Sequence, residues 1–116
     1  MDFEKLDVWK LATQLSVDVY KAMKDLKDYS FKDQITRASL SIASNIAEGM
    51  TRNSDREKVQ FLSIAKGSCS ELRTQTYIGV EIDYITRDTG AAWIEQSKRI
   101  ASMLSGLMKA LRQVKQ

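Results

Sequence analysis

Arg37, Asn45, Glu48, Glu71 and Gln75 are the side chains of this sequence whose types and spacing hold the most chemistry. Arginine's planar fork of donors suits bidentate pairing with a carboxylate, so Arg37 is expected to pair with Glu48 or Glu71. All five fall on two successive predicted helices and are expected to meet in one layer between them, with Asn45 at least partly buried. Two readings stay open: a buried pair that fixes helix register, or a binding pocket. In the first, removing Arg37 costs about 3–5 kcal/mol. Two carboxylates in a helical bundle also suggest a di-metal site, but such sites use Glu-x-x-His repeats and the chain has no histidine. The same absence removes the usual general base and the usual zinc ligand. Cys69, the single cysteine, has no internal disulfide partner. It shares a helix side with Leu62, Ala65 and Leu72, where a free cysteine behaves as a small hydrophobe. No glycine-rich phosphate loop is present, and Gly67 and Gly79 fall inside a helical pattern as close-packing positions. Neither a metal nor a cofactor is expected. Nor is enzymatic activity, since the candidate acid–base groups are carboxylates with no nucleophile beside them.

A second set of residues is basic. The net charge of +3 names no partner, but residues 85–116 carry six basic and two acidic side chains. At about 100° per residue, Lys98, Ser102, Ser105, Lys109 and Arg112 lie within about 80° of one another, opposite an apolar seam. Lys98, Lys109 and Arg112 are therefore candidate nucleic-acid contacts. A solvated face with cations near a helix C-terminus explains them equally well.

Helices must position these groups. At 116 residues the chain is long enough for one core and too short for two, so residues 1–116 are read as one domain. The 43% apolar and 28% charged composition is globular, and no proline interrupts any helix. Val8, Ala12, Leu15, Val19, Ala22 and Leu26 repeat 4-3-4-3-4 and predict a helix over 6–27. A second helix is predicted over 31–49, rich in alanine and serine and stopped by Gly49 in a left-handed turn. The third, over 55–85, opens with the capping box Ser54-Asp55-Arg56-Glu57. Its apolar residues occupy more than one face, as in a helix buried on most sides, and Glu71 falls on the arc of Ile64, Ser68, Gln75, Ile78 and Ile82. The fourth, over 89–114, is capped by Asp88 or Thr89 and carries the seam Trp93, Ser97, Ile100, Leu104, Leu107, Leu111 and Val114. Short connections favour an all-α, antiparallel up-down-up-down four-helix bundle. Phe3, Leu6 and Trp9 lie off the first seam and either close the end of the bundle or form an oligomer contact. A charged N-terminus and the lack of a long uncharged run predict a cytoplasmic protein without membrane contact.

Three blocks of sequence carry a family resemblance. They are Phe3-x-x-Leu6-x-Val8-Trp9-x-x-Ala12, Gln34-x-x-Arg37-Ala38-x-x-Ser41-Ile42-x-Ser44-Asn45-Ile46-Ala47-Glu48-Gly49, and Phe61-Leu62-x-Ile64-Ala65-x-Gly67-Ser68-x-x-Glu71-Leu72. They resemble the four-helix-bundle proteins encoded in intervening sequences of bacterial 23S ribosomal RNA genes. Ala43 stands where many members have a proline, so a local kink is not expected. The resemblance implies a homo-oligomeric ring, with five subunits the expected number. It also implies kinship with the accessory variability proteins of diversity-generating retroelements, which bind nucleic acid and a reverse transcriptase. The leading expectation is an oligomeric module that engages RNA or DNA phosphates without reading bases. The alternative is a protein-interaction scaffold or accessory subunit for a polymerase or reverse transcriptase.

Overall fold

The computed structural model describes residues 2–113. A single 3-10 turn, Phe3–Lys5, precedes four α-helices: α1 Asp7–Met23, α2 Tyr29–Met50, α3 Asp55–Glu81 and α4 Arg87–Gln113. No strand occurs among the described residues. The helices form a bundle of 49 × 21 × 19 Å in which α2 packs on α1 and α3, α3 packs on α4, and α1 meets α4 far less extensively. No helix among the described residues is long and apolar enough to cross a membrane.

One seam from each helix builds the core. Val19, Ile35, Ile42, Ile46, Leu62, Leu72, Ile100 and Leu104 are fully buried, and each contributes about 1.5–3 kcal/mol by leaving water. The first seam runs Val8, Ala12, Leu15, Val19 and Met23; Ala22 is exposed and Leu26 half-buried. On α4 the buried line passes from Leu104 to Met108, leaving Leu107 and Leu111 half-buried. Both drifts follow from a straight helix turning 3.6 residues against a 3.5-residue repeat. Val114, expected on the same seam, lies outside the described residues.

Helix α2 is built for close approach. Ala38, Ser39 and Ala43 are buried, and a Cβ placed at Gly49 would lie 2.9 Å from Phe61 Cβ and 3.2 Å from the Lys58 carbonyl. Gly49 does not stop the helix in a left-handed turn: it lies within α2, and no glycine among the described residues has positive φ. Glycine is required there because α3 begins against it. At the start of α3 the capping box forms, with Ser54 Oγ accepting from Glu57 N–H at 3.2 Å. The Glu57 carboxylate returns to the Ser54 hydroxyl at 3.0 Å instead of to its backbone N–H.

Helix α3 ends at Glu81, four residues before the expected limit. Asp83 takes a left-handed φ of 64°, and the N–H groups of Tyr84 and Ile85 both donate to the Gly79 carbonyl, at 2.8 and 3.1 Å. Ile85 therefore leaves the helix and turns back into the bundle, 4% exposed. It fills the space beside Gly79, where a Cβ would overlap Ile85 Cδ1 and come within 3.0 Å of Phe31 Cζ. Thr86 caps α4 by accepting from Thr89 N–H at 3.2 Å, so neither Asp88 nor Thr89 is the cap.

The α1–α2 and α3–α4 connections are fastened together. Asp28 caps α2 by accepting from Phe31 N–H at 3.1 Å, and its other oxygen accepts from Tyr84 Oη–H at 2.8 Å. The Phe31 amide, then the Tyr84 hydroxyl, hold the Asp28 carboxyl below the usual carboxylate range, and the Asp28 bond pushes the Tyr84 hydroxyl up. The Phe31 and Tyr84 rings meet edge to face, 5.2 Å between centroids.

The two glycines predicted as close-packing positions differ: a Cβ at Gly67 meets nothing within 4 Å. Gly67→Ala should therefore stabilise the protein by about 0.5–1 kcal/mol through helix propensity. Gly79→Ala should destabilise it by about 1–3 kcal/mol through overpacking against Ile85 and Phe31. Urea unfolding followed by circular dichroism checks both.

Candidate interaction surfaces

The ionic layer expected between α2 and α3 does not form. Arg37 is exposed, its side chain 76% accessible, and its Nε donates to both oxygens of Asp33 at 3.0 Å. Glu48 pairs with Arg52, and Glu71 is exposed without an ion-pair partner among the described residues. The reason is local: a charge one turn away on the same helix is reached without taking either group out of water. Hydroxyls and an amide link α2 to α3 instead. Asn45, half-buried as expected, donates through Nδ2 to the Ser41 carbonyl at 2.8 Å and to Ser41 Oγ at 2.9 Å. Ser41 Oγ in turn meets Ser68 Oγ on α3 at 2.9 Å. Ser16 and Ser39 make the equivalent link between α1 and α2 at 3.1 Å. Sequence reasoning missed these serine pairs, although the small-residue run of α2 signalled that its neighbours come close. Gln75 Oε1 is buried with no hydrogen-bond partner in the bundle.

Cys69 is fully buried, and burial pushes its thiol up to about 11, partly opposed by the Arg73 charge. At neutral pH it is a packed thiol.

Two apolar surfaces face outward. The first is a groove of about 440 Å³ between α1 and α2, whose walls include Trp9, Val17, Tyr20 and Leu40. Val17, Tyr20 and Leu40 are 39, 44 and 49% exposed. Phe3 lies at one end, edge to face with Trp9 at 5.4 Å, while Leu6 packs against the core. Thr13 Oγ1 on the groove wall is buried with no partner. The second surface runs along α3 to its C-cap: Ile64, Ile78 and the C-cap residue Ile82 are 52, 49 and 46% exposed on the arc shared with Glu71 and Gln75. Helix α3 is thus not buried on most sides within one chain. Its inner face is Leu62, Ala65, Cys69, Leu72 and Thr76, and the isoleucine arc is left outside.

Lys98, Lys109 and Arg112 are exposed, and the ion pairs among the described residues involve none of them. Arg112 also lines a cleft between α3 and α4 with Arg56, a residue that the sequence places only at a helix start. Its position opposite Arg112 depends on how the two helices are set against each other.

The profile of the 23S rRNA-intervening sequence protein family matches residues 4–106. The chain belongs to that family. A crystal structure of a protein of unknown function from the S23 ribosomal protein family of Bacteroides thetaiotaomicron VPI-5482 is similar, with a TM-score of 0.82. The two are 24% identical over 88% of this chain and 98% of that one, a likeness of fold. No curated protein matches the chain.

The observed polar contacts reverse the expected cost of removing Arg37. Arg37→Ala should change stability by no more than about 0.5 kcal/mol, because its ion pair is solvated. Asn45→Ala should cost about 1 kcal/mol, since it removes the donor that orients Ser41 toward Ser68. Thermal unfolding of the two variants beside the parent protein gives the comparison.

Proposed function

We propose that the protein is a non-enzymatic, homo-oligomeric module that binds the phosphate backbone of nucleic acid through a basic surface on α4. The observation that carries this reading is the state of the α4 cations: Lys98, Lys109 and Arg112 are exposed and unpaired among the described residues, and no acidic side chain follows Glu95. Uncompensated cations along a rigid helix attract phosphates and release their counterions. Repetition around an oligomer multiplies a modest charge per chain.

The subunit is an antiparallel up-down-up-down bundle in this proposal. Partner numbers that run in opposite directions support it: Ser41 meets Ser68 while Gly49 abuts Phe61, and Val59 and Leu111 share a cleft while Ser63 reaches Met108. A ring, of five subunits by family resemblance, uses the two outward apolar surfaces as its contacts. Family membership names a genomic location in ribosomal RNA genes, so the nucleic-acid reading rests on the charges.

A second reading is favoured by the groove between α1 and α2. With Trp9, Tyr20 and Leu40 around its opening, it fits an apolar segment of a protein partner such as a polymerase or reverse transcriptase.

Replacing Lys98, Lys109 and Arg112 together by glutamine keeps helix propensity nearly constant and touches no core residue. The triple variant should fold normally by circular dichroism and bind labelled RNA and DNA more weakly in fluorescence anisotropy. Its salt dependence should also be shallower, by about 0.7 to 0.9 log units per decade for each phosphate ion pair removed. Unchanged binding would make the α4 cations a solvated face. No binding by the parent protein at low salt would move the reading to a protein scaffold.

A further inference from the structure

The cleft between the start of α3 and the end of α4 brings two arginines together without an ionic reason within the chain. It encloses about 300 Å³ and is lined by Asp55, Arg56, Val59, Gln60, Leu111 and Arg112. Arg56 and Arg112 come from different helices, both are exposed, and neither forms an ion pair among the described residues. The one carboxylate on the cleft, Asp55, has Lys58 Nζ as its nearest cation, at 4.0 Å. Two guanidinium groups on one cleft repel each other, and an anion between them converts that repulsion into two charge-assisted contacts.

The floor is of a different character. Val59 and Leu111 are half-buried apolar residues packed against the core, and the Gln60 amide stands beside them with both a donor and an acceptor. A cleft with cations on two sides, an apolar floor and one amide matches a single nucleotide: phosphate to the guanidinium groups, base over Val59 and Leu111. A duplex cannot use such a floor, because its bases stay stacked inside, whereas a single strand has free base faces.

The cations continue outward from the cleft. Lys109 precedes Arg112 by about one turn, and Lys98 lies about 21 Å from Arg112 along the axis at 1.5 Å per residue. On α3, the cleft that Val59 shares with Leu111 and the contact of Ser63 Oγ with Met108 Sδ identify the side that meets α4. Lys66 and Arg73 fall within about 60° of Val59 at 100° per residue, so they border the same seam. No acidic residue of α3 between Glu57 and Glu71 interrupts it.

We infer that this cleft is a nucleotide-binding subsite for single-stranded nucleic acid, with Arg56 and Arg112 holding a phosphate and Val59 and Leu111 receiving a base. The inference rests on the phosphate-binding reading above and assigns it a second helix and a preference for single strands.

The test uses the full chain with a labelled oligouridylate, the matching oligodeoxyuridylate and a duplex of equal length, at one low salt concentration. The parent protein should bind both single strands more tightly than the duplex. Arg56→Gln should weaken single-strand binding about tenfold, the loss expected for one charge-assisted contact. Arg56→Lys, which keeps the charge and loses the fork, should fall between them. Both variants change an exposed side chain, and circular dichroism checks that they fold. Equal affinity for RNA and DNA assigns the contacts to phosphate and base; a preference for RNA adds a contact to the 2′-hydroxyl. Parent-like binding by Arg56→Gln, with binding abolished in the α4 glutamine variant, would overturn the cleft and leave the α4 surface standing. Duplex bound as tightly as single strand would overturn the base floor. Absence of binding by the parent protein to all three probes would overturn the phosphate reading and the cleft with it.

Discussion

Each helix of a four-helix bundle has one inward side, and the rest of this structure follows from how its apolar residues exceed that allowance. Val8 to Met23, Ile35 to Ile46, Leu62 to Leu72 and Trp93 to Met108 fill the interior. Other large apolar residues stay outside, among them Val17 and Tyr20 on α1, Tyr29 and Leu40 on α2, Ile64, Tyr77 and Ile78 on α3, and Ile82 at its C-cap. Burying a side chain of this size is favourable by about 1.5–3 kcal/mol, so several exposed on one molecule favour association. The buried, unpartnered oxygens of Thr13 and Gln75 lie on the same sides as these residues. The outward apolar surfaces are thus the ground for the proposed assembly.

Polar groups obey a related rule. Where α2 meets its neighbours, the links are made by Ser16 with Ser39 and by Asn45, Ser41 and Ser68, groups small enough to allow close packing and neutral enough to be buried at little cost. Charges stay in water and pair along their own helix, as Arg37 does with Asp33 and Glu48 with Arg52. Lys98, Lys109 and Arg112 on α4, and Arg56 at the α3–α4 cleft, are exposed and form no ion pair among the described residues. The proposed oligomeric phosphate-binding module draws on both kinds of surface, apolar residues for association and exposed cations for phosphate.

The fold was legible in the sequence because helical periodicity needs only the order of residues. The four helices, the Ser54 capping box and most of the core follow from spacing alone. Connections were harder to read. Ile85 continues the apolar pattern of α3, and no glycine announces that Asp83 takes the left-handed turn that ends it. Gly49 looked like a stop and proved to be a point of close contact with α3. The candidate sites depend on how helices are rotated about one another, and that is not encoded in any single repeat. Arg37 and Glu71 share no layer for this reason, and Arg56 lines one cleft with Arg112 for the same one. Asp33, four residues before Arg37, was the partner visible in the sequence.

The central claim is that the outward apolar surfaces are contacts between copies of the chain. Native mass spectrometry of the purified protein at micromolar concentration addresses it most directly, because the mass of one chain is 13.2 kDa and each added copy is resolved. The account predicts a discrete species of more than two chains that dissociates when Ile64, Ile78 and Ile82 are replaced by serine. A single-chain mass for the parent protein would contradict it.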